Sequence, residues 1–366
     1  MVTRVNGISP AGVDAEIARS WTLPSHLYVD AGWLAAERER IFSRAWQIVG
    51  RREQLAHPGD FFTAEVAGEP LLLARDAAGM LRGFYNVCRH RAGPPAEGCG
   101  SRKVFRCSYH GWTYGLDGRL LSAPEFEGVA DFCLEDFGLR PVRAEEWAGW
   151  VFVNLDPDAQ PLAVALGELS QQTAGFGLEC LRFFERREYR MECNWKTYLD
   201  NYLEGYHLPS VHPALNRELD YARYVTERFA RHSRQSSPIR GPENESDAPR
   251  RYAQASGSDA AQYFWIFPNW MLNCYPDNVS LNIVLPLGPE QTVAIFEWYA
   301  AESVLGTAAA QAGVRFSHDI QLEDGAICEK VQRNLRSRSY TRGRFSARQE
   351  KGVHHFHRLY AEAMGL

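Results

Sequence analysis

Two Cys–His doublets in a strand-rich tract restrict this chain's fold more than any other stretch of it. Cys88-Arg89-His90 is followed, after 16 residues, by Cys107-Ser108-Tyr109-His110. Each doublet offers one thiolate and one imidazole from a loop that follows a strand, so four ligands can close around one centre. Thiolates suit zinc or iron–sulfur iron, and imidazole suits either. The same Cys2His2 inventory serves zinc sites, so the count alone decides nothing. The spacing does more. The intervals are C-x-H and C-x2-H, unlike those of a zinc finger. Gly93-Pro94-Pro95 and Gly111-Trp112 supply tight turns behind the two doublets. The set fits a [2Fe–2S] cluster in which two histidines replace two cysteines on one iron; zinc is the alternative.

Around the doublets, short β-type runs are expected at Phe61–Val66, Pro70–Arg75, Leu81–Val87, Val104–Tyr109 and Trp150–Leu155. Ala78-Gly79 and Asp117-Gly118 provide hairpin turns. Before this β module, residues 25–50 read as a helix and an entry strand, with Ala31, Leu34, Ala35, Ile41 and Phe42 apolar and Glu37, Arg38, Glu39 and Arg40 on the charged side. After it the chain mixes types. A strand is expected at Arg186–Cys193, a helix at Lys196–Tyr206, a long loop at Gln235–Asp259 and a hairpin from Val279–Leu285 and Thr292–Tyr299. Helices are expected at Phe316–Leu335 and Lys351–Met364. The length of 366 residues gives about two domains.

The remaining cysteines, Cys99, Cys133, Cys180, Cys193, Cys274 and Cys328, show no pattern and read as small buried apolar residues. The scattered charges of the first 21 residues leave no secretory h-region. A reducing cytoplasm is therefore expected, where patterned cysteine means metal before disulfide. A formal charge of −5 argues against nucleic acid as the main partner, and no apolar run approaches the roughly 18 residues of a membrane span.

A second constellation follows in Asp200-Asn201-Tyr202-Leu203-Glu204-Gly205-Tyr206-His207-Leu208-Pro209-Ser210-Val211-His212-Pro213. On a helix Glu204 and His207 share a face, and Asp200 lies on nearly the same face. His207 and His212 sit at about 140° to each other in a regular helix, so they converge only if the helix ends between them. Pro209 is placed to end it. Two imidazoles and one carboxylate are the ligand set of non-haem Fe(II) oxygenases, with positions left open for dioxygen. The carboxylate is expected from Gln321-Leu322-Glu323-Asp324, with Asp324 ahead of Glu323.

Both constellations, β module first, resemble the catalytic alpha subunit of a Rieske non-haem iron oxygenase, from about Leu23 to the C-terminus. The resemblance implies an α+β chain. A helical segment (1–45) packs on the catalytic domain, a Rieske [2Fe–2S] domain (46–157) is all-β, and a mononuclear-iron domain (158–366) is an antiparallel sheet covered by helices. By it, Cys88, His90, Cys107 and His110 hold the cluster, and His207, His212 and Asp324 hold Fe(II). Glu204 takes the place of the acidic residue that links the cluster of one subunit to the iron of the next; ring-hydroxylating dioxygenases usually have Asp there. Asp200 stands beside Glu204 as a second catalytic candidate. A head-to-tail homotrimer is implied, as is a separate flavin or ferredoxin reductase that brings electrons from NAD(P)H, since the chain has no Gly-rich dinucleotide fingerprint. The cluster would then pass electrons singly to the iron, where dioxygen is activated beside the substrate.

The tracts Asp200–Pro213, Gln332–Arg344 and Glu350–His357 resemble the choline, glycine betaine and carnitine monooxygenase branch. The reaction expected is hydroxylation or oxidative N-demethylation of a small quaternary ammonium or N-methyl compound. Tyr263, Phe264, Trp265, Phe267 and Trp270 offer rings that attract a desolvated trimethylammonium group, although they also suit a core or a flat aromatic substrate. An aromatic-ring hydroxylase or aryl demethylase is the second enzyme reading, and a Rieske electron carrier the non-enzyme one. The run Arg333, Arg336, Arg338, Arg342, Arg344 and Arg348 reads as a solvated face or salt links. His354, His355 and His357 read as surface and packing residues.

Overall fold

The computed structural model describes residues 12–240 and 259–366. The chain is α+β and forms two compact units, Arg38–Ala165 and a second made of residues up to Glu37 together with Leu166–Leu366. Most of the loop expected over Gln235–Asp259 lies outside the described residues, as does the start of the first 21. Gln235–Pro238, expected in that loop, instead completes a strand.

The Arg38–Ala165 unit is built from ten strands: β1 (Gln47–Arg51), β2 (Asp60–Val66), β3 (Glu69–Arg75), β4 (Leu81–Tyr85), β5 (Cys99–Ser101), β6 (Phe105–Arg106), β7 (Thr113–Tyr114), β8 (Leu120–Ser122), β9 (Pro141–Trp147) and β10 (Trp150–Asn154). Seven make an antiparallel sheet in the order β1-β10-β9-β4-β3-β2-β5, and β6-β7-β8 make a small second sheet. Strand β3 reads apolar at every residue from Leu71 to Ala74 because both its faces are covered. Leu71 and Leu73 pack with Phe62, Val151 and Val153, whereas Leu72 and Ala74 pack with Phe61, Phe105 and Trp112. Cys88 and Cys107 belong to that second cluster. The strand expected at Val104–Tyr109 stops at Arg106, because Cys107 begins the turn that presents His110.

In the larger unit, α1 (His26–Val29) and α2 (Ala31–Glu37) come first; the short α3 (Leu162–Leu166) ends the smaller unit, and α4 (Leu169–Thr173) follows in the larger. The sheet is antiparallel, in the order β11-β17-β16-β15-β14-β13-β12. Its strands are β11 (Arg182–Met191), β12 (Val225–Arg228), β13 (His232–Pro238), β14 (Ala260–Ile266), β15 (Trp270–Cys274), β16 (Asn278–Gly288) and β17 (Gln291–Ala300). The helices are α5 (Trp195–Tyr202), α6 (Leu208–Val211), α7 (Pro213–Glu218), α8 (Ala308–Leu335) and α9 (Lys351–Met364). Asn194 caps α5 by accepting a hydrogen bond from the Lys196 amide, and Thr307 caps α8 through the Ala310 amide. No helix among the described residues is long and apolar enough to cross a membrane.

Three expectations need correcting. Glu37, placed on the charged side of the first helix, is fully buried: Lys196 Nζ lies 2.5 Å from it, and Trp195 and Tyr360 donate to it. His354 and His357, read as partly surface, are also buried. Cys99, Cys133 and Cys180 are exposed, so only Cys193, Cys274 and Cys328 fit the buried apolar reading.

Candidate metal centres and the cavity beside one of them

In the smaller unit, backbone hydrogen bonds close one turn on each doublet. Ala92 N donates to Cys88 O, and Gly111 N donates to Cys107 O. The His90 and His110 rings meet edge to face at 4.6 Å, and His90 stacks on Trp112 at 5.0 Å. Cys88 Sγ lies 3.1 Å from the Tyr114 hydroxyl, and burial pushes the Cys107 thiol upward. His90 Nδ1 is buried without a hydrogen-bond partner, and burial lowers the pKa of that ring, so it is neutral and free to ligate. A Cβ added at Gly93 would lie 2.8 Å from Cys107 Sγ, so the two loops approach too closely for any side chain there. The donors therefore fit an inorganic cluster. Among the described residues, the group of three or more whose ligand atoms all lie within 4.8 Å of one another is His207, His212 and Asp324.

The second group assembles differently from the helical expectation. Helix α5 ends at Tyr202, so Glu204 and His207 pair across a turn. Glu204 Oε1 lies 2.6 Å from His207 Nδ1, while its Oε2 accepts from the His207 and Tyr206 amides. Pro209 does not end a helix between the histidines. It occupies the first turn of the one-turn helix α6, where a missing N–H costs nothing, and His207 and His212 flank that turn. The two rings come to 5.0 Å. His212 Nε2 lies 2.9 Å and His207 Nε2 3.7 Å from Asp324 Oδ1. Glu323 Oε2 sits 2.6 Å from the other nitrogen of His212. Each imidazole is thus oriented by a carboxylate at Nδ1 and presents Nε2 to the common point, an arrangement that metal-binding histidines use. Burial disfavours charge on His212, but Asp324 and Glu323 outweigh it and raise its pKa, so the pocket favours positive charge here. These residues fit a mononuclear iron, with Asp324 at the centre and Glu323 behind it.

Asp200 does not join them. It accepts from Tyr28 Oη at 2.7 Å and pairs with His357 Nε2 at 2.8 Å, outside the cavity. Its neighbour Asn201, which the sequence reading passed over, donates to Asp324 Oδ1 at 2.5 Å. The spacing Asn201-x2-Glu204-x2-His207 was available as a signal, but only contact with a residue far along the chain gives Asn201 a role.

A cavity of about 790 Å³, counting the solvent it opens onto, reaches Glu204, His207, His212 and Asp324. Tyr202, Tyr224, Tyr263, Tyr275, Phe296, Trp298 and Phe316 line it. Of the aromatic tract Tyr263–Trp270, only Tyr263 reaches it. Phe264, Trp265, Phe267 and Trp270 are core, with Trp265 packed on Phe356 at 5.6 Å. No lysine or arginine lines the cavity among the described residues.

A model of the ring-hydroxylating alpha subunit catalytic domain matches residues 178–366, and a model of the Rieske [2Fe-2S] domain matches 45–133. The chloroplastic choline monooxygenase of Arabidopsis thaliana is 35% identical over 360 residues, spanning 94% of this chain and 83% of that protein. The carnitine monooxygenase oxygenase subunit of Escherichia coli K12 is 33% identical over 378 residues, spanning 97% of each. The structure of the quaternary ammonium Rieske monooxygenase CntA with L-carnitine superposes with a TM-score of 0.83 at 27% identity, covering 99% of this chain and all of that one.

Proposed function

Because the chain belongs to the ring-hydroxylating alpha subunit family of Rieske oxygenases, we propose that it uses dioxygen to hydroxylate or oxidatively N-demethylate a small quaternary ammonium or N-methyl compound. It is an oxygen-dependent oxidoreductase with a [2Fe–2S] cluster and a mononuclear iron. The observation that carries the substrate class is the cavity wall. Aromatic faces attract a desolvated cation, the Glu204 carboxylate favours it further, and no lysine or arginine among the described residues that line the cavity opposes it.

Cys88, His90, Cys107 and His110 would hold the cluster, within residues 46–157. His207, His212 and Asp324 would hold the iron, within 158–366. When bound, the cluster supplies electrons one at a time and the iron supplies dioxygen activation next to the substrate. The protein's own part is positional. Glu204 and Glu323 fix the two imidazoles, Asn201 fixes Asp324, and the aromatic wall holds a methyl-bearing cation with one carbon toward the metal end. Glu204 also links His207 toward the cluster of a neighbouring subunit in a head-to-tail homotrimer. Electrons come from a separate flavin or ferredoxin reductase that oxidises NAD(P)H. A reducing cytoplasm suits the six cysteines that neither form disulfides nor would hold the cluster.

The test is a single turnover of chemically reduced holoenzyme, which needs no reductase, over choline, glycine betaine, carnitine and naphthalene. Product, with formaldehyde where a methyl group is lost, is expected from at least one ammonium compound and none from naphthalene. Turnover of naphthalene alone would move the chain to the ring-hydroxylating reading.

A further inference from the structure

Six carboxamides line the cavity, and five are committed to the protein. Asn201 donates to Asp324, and Asn273 Oδ1 accepts from Tyr202 Oη at 2.6 Å. Gln235 binds Tyr224 and the Tyr202 carbonyl, Gln321 accepts from Tyr198, and Asn278 donates to Asp277. The sixth, Asn282, is fully buried, and neither Oδ1 nor Nδ2 has a partner. It sits on β16 on the same face as Asn278 and Ser280, which also line the cavity, and it pairs in register with Phe296 of β17. A buried amide with both ends unpaired is costly and rare. Its cost is explained if a ligand supplies the missing partners.

Resting on the quaternary-ammonium reading, we propose that Asn282 is a polar subsite for the end of the substrate remote from its cationic head. We further infer that this end is an uncharged group that both donates and accepts, such as a hydroxyl, rather than a carboxylate. A carboxamide offers one donor edge and one acceptor edge, and a hydroxyl matches both. A carboxylate can use only the Nδ2 edge, would meet the Oδ1 edge unfavourably, and finds no lysine or arginine among the described lining residues. Glu204 adds negative charge against it. Asn282 is a specificity residue on the sheet wall, separate from the helix and turn that carry the metal donors.

Equilibrium binding of three cations to the iron-loaded protein tests this: choline, ethyltrimethylammonium (the same head without the hydroxyl) and glycine betaine. Wild type is expected to bind choline about tenfold tighter than ethyltrimethylammonium, the worth of one well-made buried hydrogen bond, and betaine more weakly than choline. Asn282→Leu should abolish the preference for choline over ethyltrimethylammonium, and keep or raise the melting temperature of the ligand-free protein. A residue of purely structural value would lower that temperature. Tighter binding of betaine than of choline by wild type would overturn the subsite without any variant, as would a choline preference that survives Asn282→Leu. If ethyltrimethylammonium binds but choline gains nothing, the subsite alone fails. If none of the three binds, the quaternary-ammonium reading fails and the subsite with it.

Discussion

Asp324 and Glu323 are chain neighbours, yet they face opposite nitrogens of the same imidazole, and that difference sets their roles. Asp324 Oδ1 is the atom on which both Nε2 groups converge, whereas Glu323 reaches only Nδ1 of His212. Asp324→Asn is therefore expected to empty the mononuclear site, and Glu323→Gln to weaken iron affinity by about 10- to 100-fold, as loss of an orienting partner does. Neither should change acid-labile sulfide. Equal iron loss in the two variants would contradict the division. The Gly93 loop gives a matching test in the other unit. Gly93→Ala forces a methyl group against Cys107 Sγ, so visible absorbance and sulfide should fall while mononuclear iron stays. A third residue-scale test concerns Glu37 and Lys196, both fully buried, with the ammonium 5.3 Å from the ring centres of Tyr28, Trp195 and Tyr360. Glu37→Gln strands a charge in the core and should cost about 3–5 kcal/mol in urea unfolding. Replacing both residues by methionine should cost far less.

At the scale of elements, regular patterns were readable and irregular junctions were not. Helix α9 spans Lys351–Met364 as its apolar stripe indicates, and the β16–β17 hairpin lies where the alternating runs place it. The Cys–His doublets stand on short loops whose turn residues announce them. The segment from Leu203 to Pro213 resisted because its two imidazoles converge through a turn and a one-turn helix, whose geometry is fixed by long-range contacts with α8 rather than by local propensity. Asp200 was misread for the same reason: helical spacing put it beside Glu204, but the chain leaves the helix at Tyr202 and Asp200 turns toward Tyr28 and His357. The aromatic run at Tyr263–Trp270 could not be divided into core and cavity from composition, since strand and turn aim successive rings differently. The close approach of α9 to Leu203, the residue that follows α5, supplies the prediction at this scale. Any Cβ at Gly352 would collide with the Leu203 carbonyl, one residue before Glu204. Gly352→Ala is expected to cost about 1–3 kcal/mol by overpacking and to lower bound iron, read by metal analysis of the folded fraction. Full iron occupancy would show that the turn is insulated from α9.

For the molecule as a whole, acid should act before the carboxylates titrate. Burial, then Arg234, lowers His232 to about 4, and burial, then Arg228 and Arg358, lowers His355 to about 4. Both folded values lie below the unfolded 6.5, so the fold holds these rings neutral and the unfolded chain takes up protons first. Their contribution is complete above pH 6.5 and is lost as pH falls toward 4. For buried His232 the loss amounts to about 3 kcal/mol over that window, and His232→Gln should flatten the curve of stability against pH. An unchanged curve would show that His232 charges freely in the fold. The central claim is that this one chain builds two iron centres of different kinds. Counting iron and acid-labile sulfide in anaerobically purified protein tests it directly. About three irons and two sulfides per chain are expected, with His212→Ala removing one iron and no sulfide, and Cys107→Ser removing two irons and both sulfides. Two irons with two sulfides in wild type, unchanged by His212→Ala, would reduce the chain to an electron carrier, and zinc without sulfide would contradict the account entirely.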